Sequence, residues 1–159
     1  MRIAVISDTH MADPDAWFDQ FYTNHLEPVD ALIHCGDITG SGIYNYLQNH
    51  RQFYAVAGNM DAFGIGSELP ATLTLTLSDK KVGVAHGFGY GERSSLGFSV
   101  AAAFGEDYDL ILYGHTHMPE IVRKGTTTII NPGTLRQYSG TFALIDLSDE
   151  GITASIVCV

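Results

Sequence analysis

Ile3-Ala4-Val5-Ile6-Ser7-Asp8-Thr9-His10 runs through four apolar residues and closes on a carboxylate and an imidazole. An uninterrupted apolar run of this length predicts a strand buried on both faces, as the strands of a parallel sheet are. Two further short apolar runs, residues 32–35 and 54–57, follow it. Segments with helical character separate the three runs, which predicts βαβ units. For the first connecting helix, Asp13 supplies a cap and Pro14 suits the first helical position. Trp17, Phe18, Phe21, Tyr22 and Leu26 then recur near helical spacing, an apolar stripe for packing on the sheet.

Beyond residue 70 the pattern changes. Residues 72–77 alternate Thr and Leu, residues 78–81 make a polar turn, and residues 82–85 resume the apolar run, which predicts a hairpin. A helix is expected within 94–104, and strands at 110–113, 120–122, 127–130, 142–147 and 152–157. Parallel strands early and antiparallel strands late predict an α/β sandwich, two packed sheets with helices outside them. With no internal repeat, low-complexity tract or linker, residues 1–159 read as a single domain.

Composition narrows the function. Eight Lys and Arg stand against 18 Asp and Glu, a net charge of −10, while 45% of residues are hydrophobic and 16% charged. Extended disorder is excluded by that balance. The scarcity of cations also argues against a duplex nucleic-acid binder, which neutralises phosphates with clustered Lys and Arg. The two cysteines, Cys35 and Cys158, make no disulfide framework, and the apolar run at residues 3–6 is too short for a secretory signal. No membrane span is visible, and the expected location is cytoplasmic.

The chemistry lies at the ends of the apolar runs. Residues 3–6 lead into Ser7-Asp8-Thr9-His10, residues 32–35 into Gly36-Asp37, and residues 54–57 into Gly58-Asn59-Met60-Asp61. Residues 82–85 lead into His86-Gly87, and residues 110–113 into Gly114-His115-Thr116-His117. Ligands of open α/β sheets bind at the carboxyl ends of strands, so these five endings are expected to converge. In extended backbone, residues two apart share a side, which pairs Asp8 with His10 and His115 with His117 as chelating pairs. Each ending alone is commonplace; the five together make a metal-binding constellation. Of the other histidines, His34 is expected in the core, and His25 and His50, late in predicted helices, are structural or solvent-facing.

Carboxylate and amide oxygens mixed with imidazole nitrogens suit manganese, iron, zinc, cobalt or nickel better than calcium. Asp8, His10, Asp37, Asn59, Asp61, His86, His115 and His117 are too many ligands for one tetrahedral ion, so two ions are expected. Two divalent ions about 3.5–4 Å apart form a phosphoryl-hydrolysis centre, in which a bridging hydroxide attacks phosphorus in line. They also supply the positive charge that an acidic chain otherwise lacks.

On these residues the sequence resembles the calcineurin-like metallophosphoesterases, in particular the small single-domain bacterial and archaeal phosphodiesterases. Asn131-Pro132-Gly133-Thr134 completes the pattern in the same order. The resemblance implies a four-layer α/β/β/α sandwich of two mixed β-sheets flanked by helices. It also implies that Asp8, His10 and His117 hold one metal and Asn59, His86 and His115 the other, with Asp37 bridging. Asp37 and Asn59 thereby serve catalysis as well. The implied cofactor is a pair of divalent ions, manganese foremost, and the implied substrate a small phosphodiester, with monoesters second. A homodimer also rests on this resemblance.

Met60 departs from the wider family, many of whose members have a histidine directly after the Asn ligand to protonate the leaving group. A thioether donates no proton, so leaving groups of low basicity or a water acting as acid are favoured. Asp61 either orients such a water or accepts from His10 or His115. Arg93 and Arg136 are candidate phosphate contacts, against the ordinary reading of exposed arginines as solvated charges. Phe88 and Tyr90 are candidate pocket residues, with packing as the simpler account. The alternative to an enzyme is a metal-binding scaffold acting through protein contacts, as the small retromer subunit of similar fold does.

Overall fold

A computed structural model describes residues 1–61 and 64–159. The described residues form two five-stranded sheets. The first has the order β10 (Gly151–Cys158), β9 (Thr141–Ser148), β1 (Arg2–Ile6), β2 (Ala31–His34), β3 (Phe53–Ala55). In it β1, β2 and β3 run parallel, and β9 runs antiparallel to both β1 and β10. The second sheet has the order β4 (Thr72–Leu77), β5 (Lys80–Ala85), β6 (Leu110–Leu112), β8 (Thr127–Asn131), β7 (Glu120–Lys124).

The strand period of two sorts the apolar runs into layers. Ile3 and Val5 of β1 enter a core shared with Ile33 of β2, Val82 and Val84 of β5, and Leu110 and Leu112 of β6, so this core lies between the sheets. Ala4 and Ile6 point the other way and pack with Leu32 under Phe18 and Phe21 of α1 (Ala16–Phe21) and Ile43 and Leu47 of α2 (Ser41–Leu47). On the outer face of the second sheet, Ala85, Ile111 and Ile129 meet Leu96, Val100 and Ala101 of α3 (Leu96–Phe104). The result is the expected α/β/β/α sandwich. Burial on both faces is why β1 reads as a continuous apolar run, each large side chain contributing about 1.5–3 kcal/mol.

Two expectations need correction. The second sheet is parallel at its centre, where β5, β6 and β8 run together, and antiparallel only at its edges, where β4 and β7 join by hairpins. Short hairpin turns dominate the sequence signal there, whereas the crossover through α3 that makes β5 and β6 parallel carries none as strong. The cap of α1 is Asp15, whose extended backbone lets its side chain accept from Phe18 N at 2.8 Å, so Pro14 precedes the cap. No helix among the described residues is long and apolar enough to cross a membrane.

Candidate metal centre

The loops after β1, β2, β3, β5 and β6 meet at one edge of the sandwich, tied by backbone hydrogen bonds. Asp8 N donates to Gly36 O at 3.0 Å, His10 N to Asp37 O at 3.2 Å and Gly114 N to His86 O at 3.0 Å. Asp8, His10, Asp37, His115 and His117 all have left-handed backbone, with φ of 53°, 48°, 57°, 69° and 60°. Such conformations cost non-glycine residues about 1–2 kcal/mol each and concentrate at functional sites. The extended spacing expected of Asp8 with His10 and of His115 with His117 is therefore replaced by tight turns. Close approach fixes two glycines: a Cβ on Gly58 would lie 2.1 Å from Asp37 Oδ1, and one on Gly114 2.0 Å from Ser7 Oγ.

Both ligand carboxylates are anchored through one oxygen and left open at the other. Asp8, fully buried, accepts from Ser7 Oγ at 2.6 Å and from His115 N at 3.1 Å, both on Oδ2. Its Oδ1 has no hydrogen-bond partner and stands 3.2 Å from His117 Nε2. Asp37 accepts from Met60 N on Oδ1 at 2.7 Å, while its Oδ2 lies 3.3 Å from His86 Nε2 and 3.9 Å from His10 Nε2. Burial opposes ionisation of Asp37, but the His86 ring and the Met60 amide outweigh it and hold its pKa below the usual carboxylate value.

His86 is buried, and its Nδ1 donates to Cys35 O at 2.8 Å, which fixes the tautomer and leaves the Nε2 lone pair aimed inward. That nitrogen meets Asn59 Oδ1 at 3.1 Å as well as Asp37. Burial lowers the His86 pKa and Asp37 raises it, with a net rise. His115 lies beside His86, ring centroids 5.2 Å apart, and burial together with that neighbour lowers its pKa.

The donor atoms fall into two groups, Asp8 with His10 and His117, and Asp8 with Asp37 and His86. Asp8 is common to both, while Asp37, expected to bridge, belongs to the second and also approaches His10. His115 and His117 do not chelate together: one lies at His86 and the other at Asp8. This donor set fits divalent cations. A buried carboxylate oxygen without a donor facing an imidazole nitrogen, and an inward lone pair facing two oxygens, are mutual acceptors that a cation satisfies.

Asp61 has a different place from that expected. Its Oδ2 accepts from Gly58 N at 2.7 Å and Asp37 N at 2.9 Å, and its Oδ1 from Thr39 N at 2.7 Å, so it holds loop backbone and neither His10 nor His115. The reason is reach: the turn at residues 59–61 directs the carboxylate back under its own loop. Asn131 Nδ2 donates to Gly114 O at 2.8 Å and Thr116 Oγ1 at 3.0 Å, bracing the histidine loop, and Thr134 Oγ1 donates to Asp8 O at 2.8 Å. Arg93 donates to Thr116 O. Ser7 and the Cys35 carbonyl were invisible as participants in the sequence, because a small hydroxyl residue and a backbone oxygen carry no pattern.

The remaining histidines are structural. His34 is fully buried; Gly36 N donates to its Nδ1 at 3.1 Å, so Nε2 carries the proton toward Thr9 Oγ1 at 3.1 Å. Burial, with His86 second, depresses its pKa to about 3. His50 is buried and donates from Nε2 to Leu26 O at 3.1 Å, while the His25 ring packs on Phe21 and Phe142.

The model of the calcineurin-like phosphoesterase superfamily domain matches residues 1–150. The chain belongs to this superfamily. A probable metallophosphoesterase of Methanocaldococcus jannaschii is 37% identical over 144 residues, 84% of this chain and 68% of that protein. A phosphodiesterase of the same organism is 27% identical over 150 residues, covering 87% of this chain and 86% of that protein. Among solved structures, the zinc complex of Vps29 from Entamoeba histolytica has a TM-score of 0.71 at 22% identity over 99% of each chain, a likeness of fold. In this member of the superfamily the residue after Asn59 is Met60, whose side chain is exposed and whose amide donates to Asp37 Oδ1.

Proposed function

We propose that the protein hydrolyses phosphate esters, phosphodiesters ahead of monoesters, at a centre of two divalent cations, manganese foremost. The observation that carries this reading is the pair of buried carboxylates, each anchored through one oxygen and open at the other toward imidazole Nε2 atoms. Asp8, His10 and His117 would hold one ion, and His86, with Asn59 and His115 beside it, would hold the other, with Asp37, close to both His10 and His86, shared between them. Bound there, the ions supply the positive charge that receives phosphate and lower the pKa of a water nucleophile.

The chain's own contribution is position. Ser7 and Cys35 orient Asp8 and His86, Asp61 locks the Asp37 and Asn59 loops together, and Asn131 braces the loop carrying His115 and His117. With Met60 after Asn59, no side chain there can give the leaving oxygen a proton, which favours alcohols of low basicity. The phosphodiesterase relative supports the diester preference, and the two free thiols agree with a reducing, cytoplasmic location. The test is turnover of bis(p-nitrophenyl) phosphate beside p-nitrophenyl phosphate by protein stripped of metal and reloaded with manganese. Metal-dependent turnover preferring the diester is expected. Preference for the monoester would make it a phosphatase, and two bound ions without turnover of either would favour the scaffold.

A further inference from the structure

Six large hydrophobic side chains are exposed among the described residues, and three of them, Met60, Phe88 and Met118, stand on the loops that carry the candidate ligands. Met60, 57% exposed, follows Asn59; Met118, 69% exposed, follows His117; Phe88 is 62% exposed with its ring centroid 5.5 Å from that of His115. Single exposed apolar residues are ordinary, whereas several on the loops of one ligand-bearing edge point to a binding surface. Sequence spacing put Phe88 and Tyr90 on the same footing, and the structure separates them. Tyr90 packs against the cluster under α3, but Phe88 stands between Gly87 and Gly89, both left-handed at φ of 105° and 85°, which turns its ring outward.

We propose that Phe88, with Met60 and Met118, forms an apolar rim that binds an aromatic substituent of the phosphate ester, so that the substrate class is an aromatic phosphodiester. This rests on the phosphoesterase reading above. A substituent leaves phosphorus through a single oxygen, so a phosphate received at the ion beside His115 and His86 would carry its substituent close to the Phe88 ring. An aromatic group suits a ring presented edge-on to His115 at 78°, with an open face beyond it, and polarizable thioethers favour aromatic contacts.

The test compares phenylphosphonate with methylphosphonate, stand-ins for phosphate esters with and without the ring, by calorimetry on full-length manganese-loaded protein. The phenyl compound is expected to bind about tenfold more tightly, a ratio that falls to near one in Phe88→Ala. Methyl spectra of methionine-labelled protein loaded with diamagnetic zinc give a second readout: phenylphosphonate shifts the Met60 and Met118 resonances through its ring current, and methylphosphonate does not. Met1 is the internal control, since it precedes β1 at the opposite end of that strand from Asp8. Equal binding of the two phosphonates, or a ratio that persists in Phe88→Ala, would overturn the rim while leaving the phosphoesterase reading intact. Binding of neither would overturn the phosphoesterase reading itself, and the rim with it.

Discussion

Replacing Asp61 by Asn tests whether a carboxylate that holds only loop backbone nevertheless builds the centre. The two side chains have the same shape, but Asn offers one acceptor oxygen where Asp61 uses two, for three backbone N–H groups at 2.7, 2.7 and 2.9 Å. The least costly orientation keeps that oxygen on Gly58 N and Asp37 N and turns the amino group against Thr39 N–H. One hydrogen bond to an ionised acceptor is lost, about 1.5–3 kcal/mol, and two others weaken by roughly half. The sum is about 3–6 kcal/mol. With a urea slope of about 2 kcal/mol/M, the unfolding midpoint falls by about 1.5–3 M. Urea unfolding at saturating manganese is the appropriate assay, since bound cations suppress the relief of repulsion with Asp8 and Asp37 that removing a charge would otherwise bring. Manganese affinity measured by calorimetry should fall alongside stability, because the loops carrying Asp37 and Asn59 lose their common tether. A midpoint shift below about 0.5 M, no larger than that of exposed Asp149→Asn, would refute the reasoning.

Other consequences follow from the same geometry. His34 titrates near 6.5 when unfolded and at about 3 in the folded chain, so its contribution to stability is whole above pH 6.5 and drains as pH falls toward 3. Urea unfolding at stepped pH should show His34→Asn losing up to about 1.4 kcal/mol per pH unit less than the parent between pH 6 and 4; parallel profiles would contradict the assignment. Manganese at one hundred times its Kd should raise the thermal midpoint by about 5–10 °C per ion, read by calorimetric scans, and Asp8→Asn should abolish most of that rise. Gly58→Ala drives a methyl group into the Asp37 carboxylate and backbone, so hydrolysis of bis(p-nitrophenyl) phosphate should drop at least a hundredfold; near-normal turnover would mean that the loop yields freely.

Much of the fold was legible because its strands are short apolar runs buried on both sides, a local property of composition. Residues 3–6, 32–35 and 54–57 correspond to β1, β2 and β3 within a residue or two at each end. The parallel centre of the second sheet was not legible, since β6 and β8 pair through register between residues that lie 18 apart, Leu110 with Thr128, and nothing local encodes that choice. Likewise Asp13 and Asp15 are equally good caps by type, and only the backbone angles select Asp15.

At the centre, residue type was readable and residue role was not. Asp8, His10, Asp37, Asn59, His86, His115 and His117 could be picked out because each follows an apolar run, and the structure gathers them at one edge. Yet Asp61, chosen by the same rule, turns out to hold backbone amides. The left-handed angles at five site residues also escape a reading based on extended spacing.

The sequence by itself determined where strands begin and end and which ligating side chains stand at their tips, because burial and turn chemistry act over a few neighbouring residues. Only the tertiary structure decided which carboxylate oxygen is open, which histidines share a partner and that Phe88 is exposed while Tyr90 is packed. Those outcomes depend on contacts such as His115 N with Asp8 Oδ2, 107 residues apart, which exist only when the two sheets are packed face to face.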